Sequence, residues 1–345
     1  MSANLKFSFG DKDMGRYYVP MDMDICWIAC HNLFEDHLFE VTDNIIKKIQ
    51  SPNQIVVVWG AYARLGTSHN IIQHFENFAE SIPNPLVLIN GDYSTKQITV
   101  KNFVYGEVAY FQHDARGVWE RHRIGLPLNR TRKFLMMSTK NYPTRRYLLS
   151  QILDKRLDAQ GYVSYSCLND GNISEGNYTR AQIDRVLEVA DRINHLLPLP
   201  HLDDTLEWSL MPKEFLLNSY INMVTETFFE GGLFISEKPY TAIAHGQMFV
   251  MLAAPGALAY LRSQGYQTFG AWWDESYDTI TDNYDRLVAV SKTFMDLVQR
   301  PIEELATIYT QAKSVIEHNR RHFFAHDTNA DCVALLQQAR QLKNG

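Results

Sequence analysis

Ile55-Val-Val-Val-Trp59 and Pro85-Leu-Val-Leu-Ile89, with Asn70-Ile-Ile-Gln-His-Phe-Glu-Asn-Phe78 between them, decide the fold class. The two apolar runs are short, dominated by branched aliphatic residues and bounded by turn residues. That is the pattern of strands buried on both faces of a parallel sheet. The stretch between them repeats its apolar side chains at helical spacing, and strand–helix–strand is the unit of a doubly wound α/β domain. Phe103-Val-Tyr105 and Val108-Ala-Tyr-Phe111 read as further short strands of the same series.

A second series follows Gly125-Leu-Pro-Leu-Asn-Arg-Thr-Arg132, which reads as an interdomain linker. Phe134–Ser138 is a strand, Tyr147–Leu153 starts a helix, and Tyr162–Ser166 is another strand. Ala181–Leu197 carries an apolar stripe (Ile183, Val186, Leu187, Ala190, Ile193, Leu197) that predicts one amphipathic helix ending before Pro198. Tyr220–Glu226 and Phe249–Ala254 read as strands, and Pro255-Gly256 opens the next helix. From about Asp285 to Lys343 the chain is helical, interrupted at Pro301. Two Rossmann-like halves with a helical tail that returns to brace the first domain are therefore expected: residues 1–128, 129–284 and 285–345. That is the GT-B-like architecture of many glycosyltransferases, with the ligand in the cleft, although fold alone does not fix function.

With 345 residues the chain is too long for one ordinary core. No apolar run approaches the roughly 20 residues needed to span a bilayer. Met1-Ser-Ala-Asn-Leu-Lys-Phe7 lacks the features of a signal peptide, so the chain reads as cytoplasmic with no membrane partner. Four cysteines are too few for a disulfide scaffold. Cys26, Cys30 and His31 do not have zinc-knuckle spacing, and a buried helix carrying two thiols is the better reading. No GxGxxG follows a strand, and no GxxxxGK[ST], HExxH or GxSxG is present, which removes several large enzyme classes. Asp22-Met-Asp24 matches a metal-binding Asp-x-Asp but lacks the nucleotide-binding half-domain that should precede it, so no metal site is expected.

The formal net charge of −6 gives no general affinity for nucleic acid, but it is unevenly spread. Eleven Lys/Arg lie between His113 and Arg156 against Asp114, Glu120 and Asp154, so this window carries +8 and the rest −14. Cations around the end of a strand, here Phe134–Ser138, are how α/β proteins hold a phosphate-bearing ligand. A solvated charged surface is the plainer explanation.

The segment from Tyr220 to Asp278 is the most informative for function. Thr225-Glu226 ends a strand, and Glu237 and Lys238 begin a helix that Ser236 can cap. A glutamate there can accept both ribose hydroxyls of a nucleotide, and the lysine can meet a diphosphate at the positive end of the helix. Phe234-Ile-Ser-Glu-Lys238, followed after seven residues by Gly246 and an apolar strand, resembles the Tyr-Val-Thr-Glu-Lys motif of α1,3-fucosyltransferases. Those enzymes carry an acidic Phe-Glu-Asn-Ser element ten residues earlier; here Glu226 precedes Glu237 by eleven, and Thr227 replaces the asparagine. The resemblance implies an arginine on the diphosphate, from the helix after the first strand of the same domain, which is the place of Arg146 or its neighbour Arg145. Gly256–Arg262, Gly265–Phe269 and Asp274-Glu-Ser-Tyr-Asp278 are similar to virus- and phage-encoded glycosyltransferase sequences, without an assignable role beyond helix packing and an acidic turn.

The resemblance implies a metal-independent glycosyltransferase that needs no cofactor and takes its sugar from a UDP- or GDP-linked donor. Arg145, Arg146, Glu226, Ser236, Glu237 and Lys238 are the donor-binding candidates. Positive charge would stabilise the departing diphosphate, and a base would deprotonate the acceptor hydroxyl. Base candidates are Glu35, Asp36, Asp92, His113 and Asp114. The acceptor is a glycan, a protein or modified DNA, and the phage-like string suggests a hydroxymethylated pyrimidine in viral DNA. The rival reading is a non-catalytic sugar-nucleotide-binding or virion-associated protein that keeps the fold.

Overall fold

The computed structural model describes residues 25–33, 38–63, 68–90, 100–107, 115–116, 119–120, 129–170, 173, 177–197, 199 and 212–344. In chain order the elements are β1 (Ile25–Leu33), α1 (Leu38–Lys48), β2 (Ile55–Ala63), α2 (Ser68–Ser81), β3 (Leu86–Asn90), β4 (Phe103–Glu107), β5 (Arg132–Asn141), α3 (Pro143–Asp154), β6 (Tyr162–Asp170), α4 (Arg180–Ala190), α5 (Lys213–Asn218), β7 (Ser219–Thr225), α6 (Glu237–Ala244), β8 (Met248–Leu252), α7 (Ala257–Ser263), α8 (Asn283–Val298), α9 (Ile302–Gln311), α10 (Lys313–Ala325) and α11 (Thr328–Asn344). Two compact units result, one of residues 1–114, 231–234 and 326–345, the other of 115–230 and 235–325. Each holds its own four-stranded parallel sheet, so the protein is α/β with two Rossmann-like units and a helical C-terminal region. Among the described residues no helix is long and apolar enough to cross a membrane. Val108–Phe111 and residues 125–128 of the expected linker lie outside the described residues.

In the first unit Ile25–Leu33 is a strand, not the buried helix expected around Cys26 and Cys30. A separation of four puts two side chains on one face in either geometry, so the thiols could not discriminate. Pairing decides: β1 lies parallel to β2 from Ile25 opposite Ile55 to Leu33 opposite Ala63. The strands run β1-β2-β3-β4 in chain order. Right-handed crossovers that always step the same way leave their helices on one face. Accordingly, Leu38, Val41 and Ile45 of α1 and Ile71, Ile72, Phe75 and Ala79 of α2 share a core with Cys26, Ile28, Val56, Val58, Leu86, Leu88 and Phe103. The alternate residues Val57, Val87 and Val104 point the other way and are also buried. The C-terminal helix α11 packs on β2, β3 and β4, and its Leu335, Leu336 and Ala339 are buried. Gly106 lies directly under Leu335, where any Cβ would collide with the leucine side chain.

The second sheet has the order β6-β5-β7-β8, so the chain steps one way from β5 to β6 and the other way from β7 to β8. β8 is apolar and buried throughout, and within β7 only Asn222 escapes full burial. Phe134 of β5 meets Phe294 of α8 edge to face, with centroids 5.4 Å apart. The stripe at 181–197 is not one helix. α4 ends at Ala190 and the chain tightens into a 3₁₀ turn over Asp191–Leu196. There the Asp191 carboxylate accepts from Asn194 Nδ2 at 3.1 Å and from Arg146 at 3.3 Å, local partners that compete with helix continuation.

Among the described residues, the basic window is largely internal wiring. Arg130 is 4% exposed, and its guanidinium donates to the carbonyls of Leu216, Leu217, Ser219, His245 and Gly246 at 2.8–2.9 Å, with Tyr309 stacked at 5.0 Å. It thereby satisfies the unpaired carbonyls where α5 and α6 end, the negative poles of both helices. Arg132 donates to Ala159 O, Lys133 to Val298 O and Arg116 to Phe323 O. The acidic string at 274–278 is structural as well. Asp278 accepts from the Leu258 and Ala259 amides at 2.8 and 2.9 Å, capping α7, whose entry turns on Gly256 at φ +83°. Glu275 accepts from Phe269 N and Thr268 Oγ1.

Candidate functional site

In an open parallel sheet, ligands bind beyond the C-terminal strand ends where the strand order reverses. Among the described strands the first sheet has no reversal, and the second has one, between β5 and β7. A cavity of about 70 Å³ lies there, lined by Leu135, Met137 and Ser138 of β5, Arg145 of α3, Asn222–Thr225 of β7, and Lys238 and Thr241 of α6. Leu135, Met137, Met223 and Val224 make its apolar wall. Ser138, Thr225, Arg145 and Lys238 supply the polar end.

Arg145 sits in the first turn of α3, which Pro143 opens. It is 4% exposed and stacks on Tyr142 at 5.2 Å. One Nη donates to Ser138 Oγ at 2.9 Å and the other to the Glu226 main-chain carbonyl at 2.6 Å. Ser138 in turn donates to Lys140 O at 2.9 Å, so its hydroxyl is oriented to accept from the guanidinium. Burial pulls the Arg145 pKa below the ordinary guanidinium value, opposed by Tyr165, Tyr142 and Glu226. Among the described residues no carboxylate is in ion-pair contact with it. A guanidinium held only by neutral oxygens retains its attraction for an anion.

Lys238 approaches from the other side of the reversal. Ser236 caps α6, its Oγ accepting from Lys238 N at 3.3 Å and from Lys238 Nζ at 3.1 Å. Nζ also reaches Thr227 Oγ1 at 3.4 Å and lies 3.7 Å from both Glu226 Oε2 and Glu237 Oε1. The Lys238 side chain is 29% exposed, against 7% for Glu237 and 0% for Glu226. Glu226 Oε1 accepts from Ser236 N at 3.0 Å, whereas Oε2 has no hydrogen-bond partner. Burial pushes the Glu226 pKa up, while Lys238 and the Ser236 amide oppose the shift.

Five of the six donor-binding candidates therefore gather around the reversal: Arg145, Glu226, Ser236, Glu237 and Lys238. Arg146 does not line the cavity. A helix rotates by about 100° per residue, and Arg146 instead donates to Asn141 Oδ1 at 2.9 Å and pairs with Asp191 at 3.3 Å. Ser138, Asn222 and Thr241 line the cavity without any motif to announce them; their only signal is position on the strands of the reversal or one helical turn from Lys238. Asp22, Asp24, Glu35, Asp36, Asp92, His113 and Asp114 all lie outside the described residues. Among the described residues no three His, Cys, Asp or Glu side chains converge as metal ligands. No family model, no curated protein and no solved structure matches the chain.

Proposed function

We propose that the second unit binds a nucleoside-diphosphate sugar at the β5/β7 reversal and that the protein is a glycosyltransferase of GT-B type, similar to the α1,3-fucosyltransferases in its donor half. The observation that carries this reading is the meeting of Arg145 and Lys238, cations from two different βα junctions, at one cavity beside the N-terminus of α6. In this reading the two cations and the α6 amides hold the diphosphate, and Glu237 accepts from the ribose. When the bond from the sugar to the diphosphate breaks, the electron pair leaves on the phosphate oxygen, whose growing charge these groups stabilise. The acceptor hydroxyl oxygen forms the new bond and gives up its proton to a base. The acceptor is a hydroxyl-bearing molecule, with hydroxymethylated pyrimidine DNA as the specific case. For DNA the internal use of Arg116, Arg130, Arg132 and Lys133 leaves less free positive charge than the formal count.

Calorimetric titration with UDP and GDP, followed by a panel of UDP- and GDP-sugars assayed for hydrolysis in EDTA, tests the reading. Saturable nucleotide binding with sugar release is expected. Binding without turnover would favour a retained, non-catalytic binding site, and no binding of either nucleotide would refute the assignment.

A further inference from the structure

Resting on that reading, one feature of the site is electrostatically unexpected for a diphosphate pocket. Its more exposed cation is already paired. Lys238 stands between two carboxylates, 3.7 Å from each, and one of them, Glu226, is completely shielded from solvent. Glu226 binds through every polar group except one. Its amide donates to Leu252 O at 3.0 Å, its carbonyl accepts from Arg145 at 2.6 Å, and Oε1 accepts from Ser236 N at 3.0 Å. Only Oε2 lacks a hydrogen bond, and the group it faces is Lys238. The charged groups around Glu226 are Lys238 and Glu237 on α6 and Arg145 on α3. A buried carboxylate with one cation is costly once that cation leaves.

We infer that Glu226 is a positioning residue that never touches the ligand. It is the resident counter-anion of Lys238, which an incoming phosphate displaces. A phosphate that draws Lys238 away strands the Glu226 carboxylate, and the stranded group takes up a proton. Glu226 holds Lys238 ready and the Arg145 guanidinium in place, and it sets the affinity of the empty site for anions through this exchange. The linkage has a definite sign. Anion binding raises the affinity of Glu226 for a proton, so a falling pH strengthens anion binding through this residue.

The test uses inorganic pyrophosphate and the full chain. Glu226→Gln keeps an acceptor for Ser236 N but removes the charge that competes for Lys238. It should bind pyrophosphate about tenfold tighter than wild type at about pH 8, equal to one unit of pKa coupling. The ratio of the two affinities should fall toward one as the pH is lowered and the wild-type carboxyl becomes protonated. Titration of pyrophosphate itself cancels in that ratio. A Glu226→Gln protein that binds no more tightly at any pH would overturn the inference while leaving the donor-site reading intact. Failure of both proteins to bind pyrophosphate, UDP and GDP would overturn both. Should Glu226→Gln not fold, titration of wild type in two buffers of different ionisation enthalpy gives the number of protons taken up. Uptake by wild type above that of Lys238→Ala supports the exchange, and equal uptake overturns it.

Discussion

Replacing Arg130 with methionine keeps much of the side-chain volume and removes the guanidinium. Five main-chain carbonyls, those of Leu216, Leu217, Ser219, His245 and Gly246, then lose a charged donor, and so does the Tyr309 hydroxyl. A hydrogen bond to a charged group contributes about 1.5–3 kcal/mol, and a stranded buried acceptor costs about 1–3 kcal/mol. The effects are not additive, because Tyr309 still donates to Gly246 O at 3.0 Å and Gln247 contacts Ser219 O. A net loss of about 4 kcal/mol is the reasonable figure, in line with other broken buried charge networks. For a unit of this size each kcal/mol lowers Tm by roughly 2–4 °C, so the transition of the second unit should fall by roughly 8–16 °C. Differential scanning calorimetry measures it, with Arg130→Lys expected between the two because an ammonium cannot reach all five carbonyls. The loss should persist at high salt, since buried groups are little screened. A shift of less than about 3 °C for Arg130→Met would refute the staple and return Arg130 to the pool of ligand-facing cations.

Gly106→Val should destabilise the first unit by placing a side chain against Leu335, and Leu335→Ala should recover part of the loss. Amide exchange in β4 and α11 would show it, and equal protection in wild type and Gly106→Val would count against the packing. Asp282 caps α8 by accepting from Asp285 N at 2.9 Å, and that hydrogen bond, first among the causes, lowers its pKa. A carboxylate with a lowered folded-state pKa stabilises above its unfolded pKa and loses that contribution as pH falls through the folded value. Asp282→Ala should therefore be less stable than wild type at neutral pH by about 1 kcal/mol, with the gap closing in acid below the ordinary aspartate range; a pH-independent gap in urea unfolding would contradict this. Lys238→Ala should weaken UDP or GDP binding by roughly ten- to a hundredfold, the worth of one charge-assisted hydrogen bond. Arg146→Ala should leave it unchanged, and the reverse ranking by calorimetry would show that the wrong arginine faces the ligand.

Much of the local structure was legible in the chain. The runs at 55–59, 85–89 and 220–226 predict strands, and β2, β3 and β7 are found there. The spacing around Ile71, Ile72 and Phe75 predicts α2, Ser236 reads as the cap of α6, and Pro301 breaks the C-terminal helices. Each depends on side-chain periodicity, φ restriction or a cap, effects that act within a few residues. β1 is not legible locally because Cys26 and Cys30 fit both periods, and the parallel partner that resolves them lies thirty residues away in sequence.

The amino-acid sequence by itself determined that this chain forms alternating strands and helices, and where the centres of many of them fall, because those preferences are local. Only the tertiary structure decided the strand order, and with it the position of the one reversal among the described strands, because order follows from which strands bury each other's faces. It also decided what each cation does. Arg130 and Arg145 are equal members of a basic window in the sequence, yet one closes two helix ends and the other lines a cavity. Arg145 and Arg146 are neighbours in sequence, yet helical rotation carries one toward Ser138 and the other to Asp191. Formal charge is additive along a chain, whereas the energy of a charge depends on desolvation and on the partners that folding brings to it.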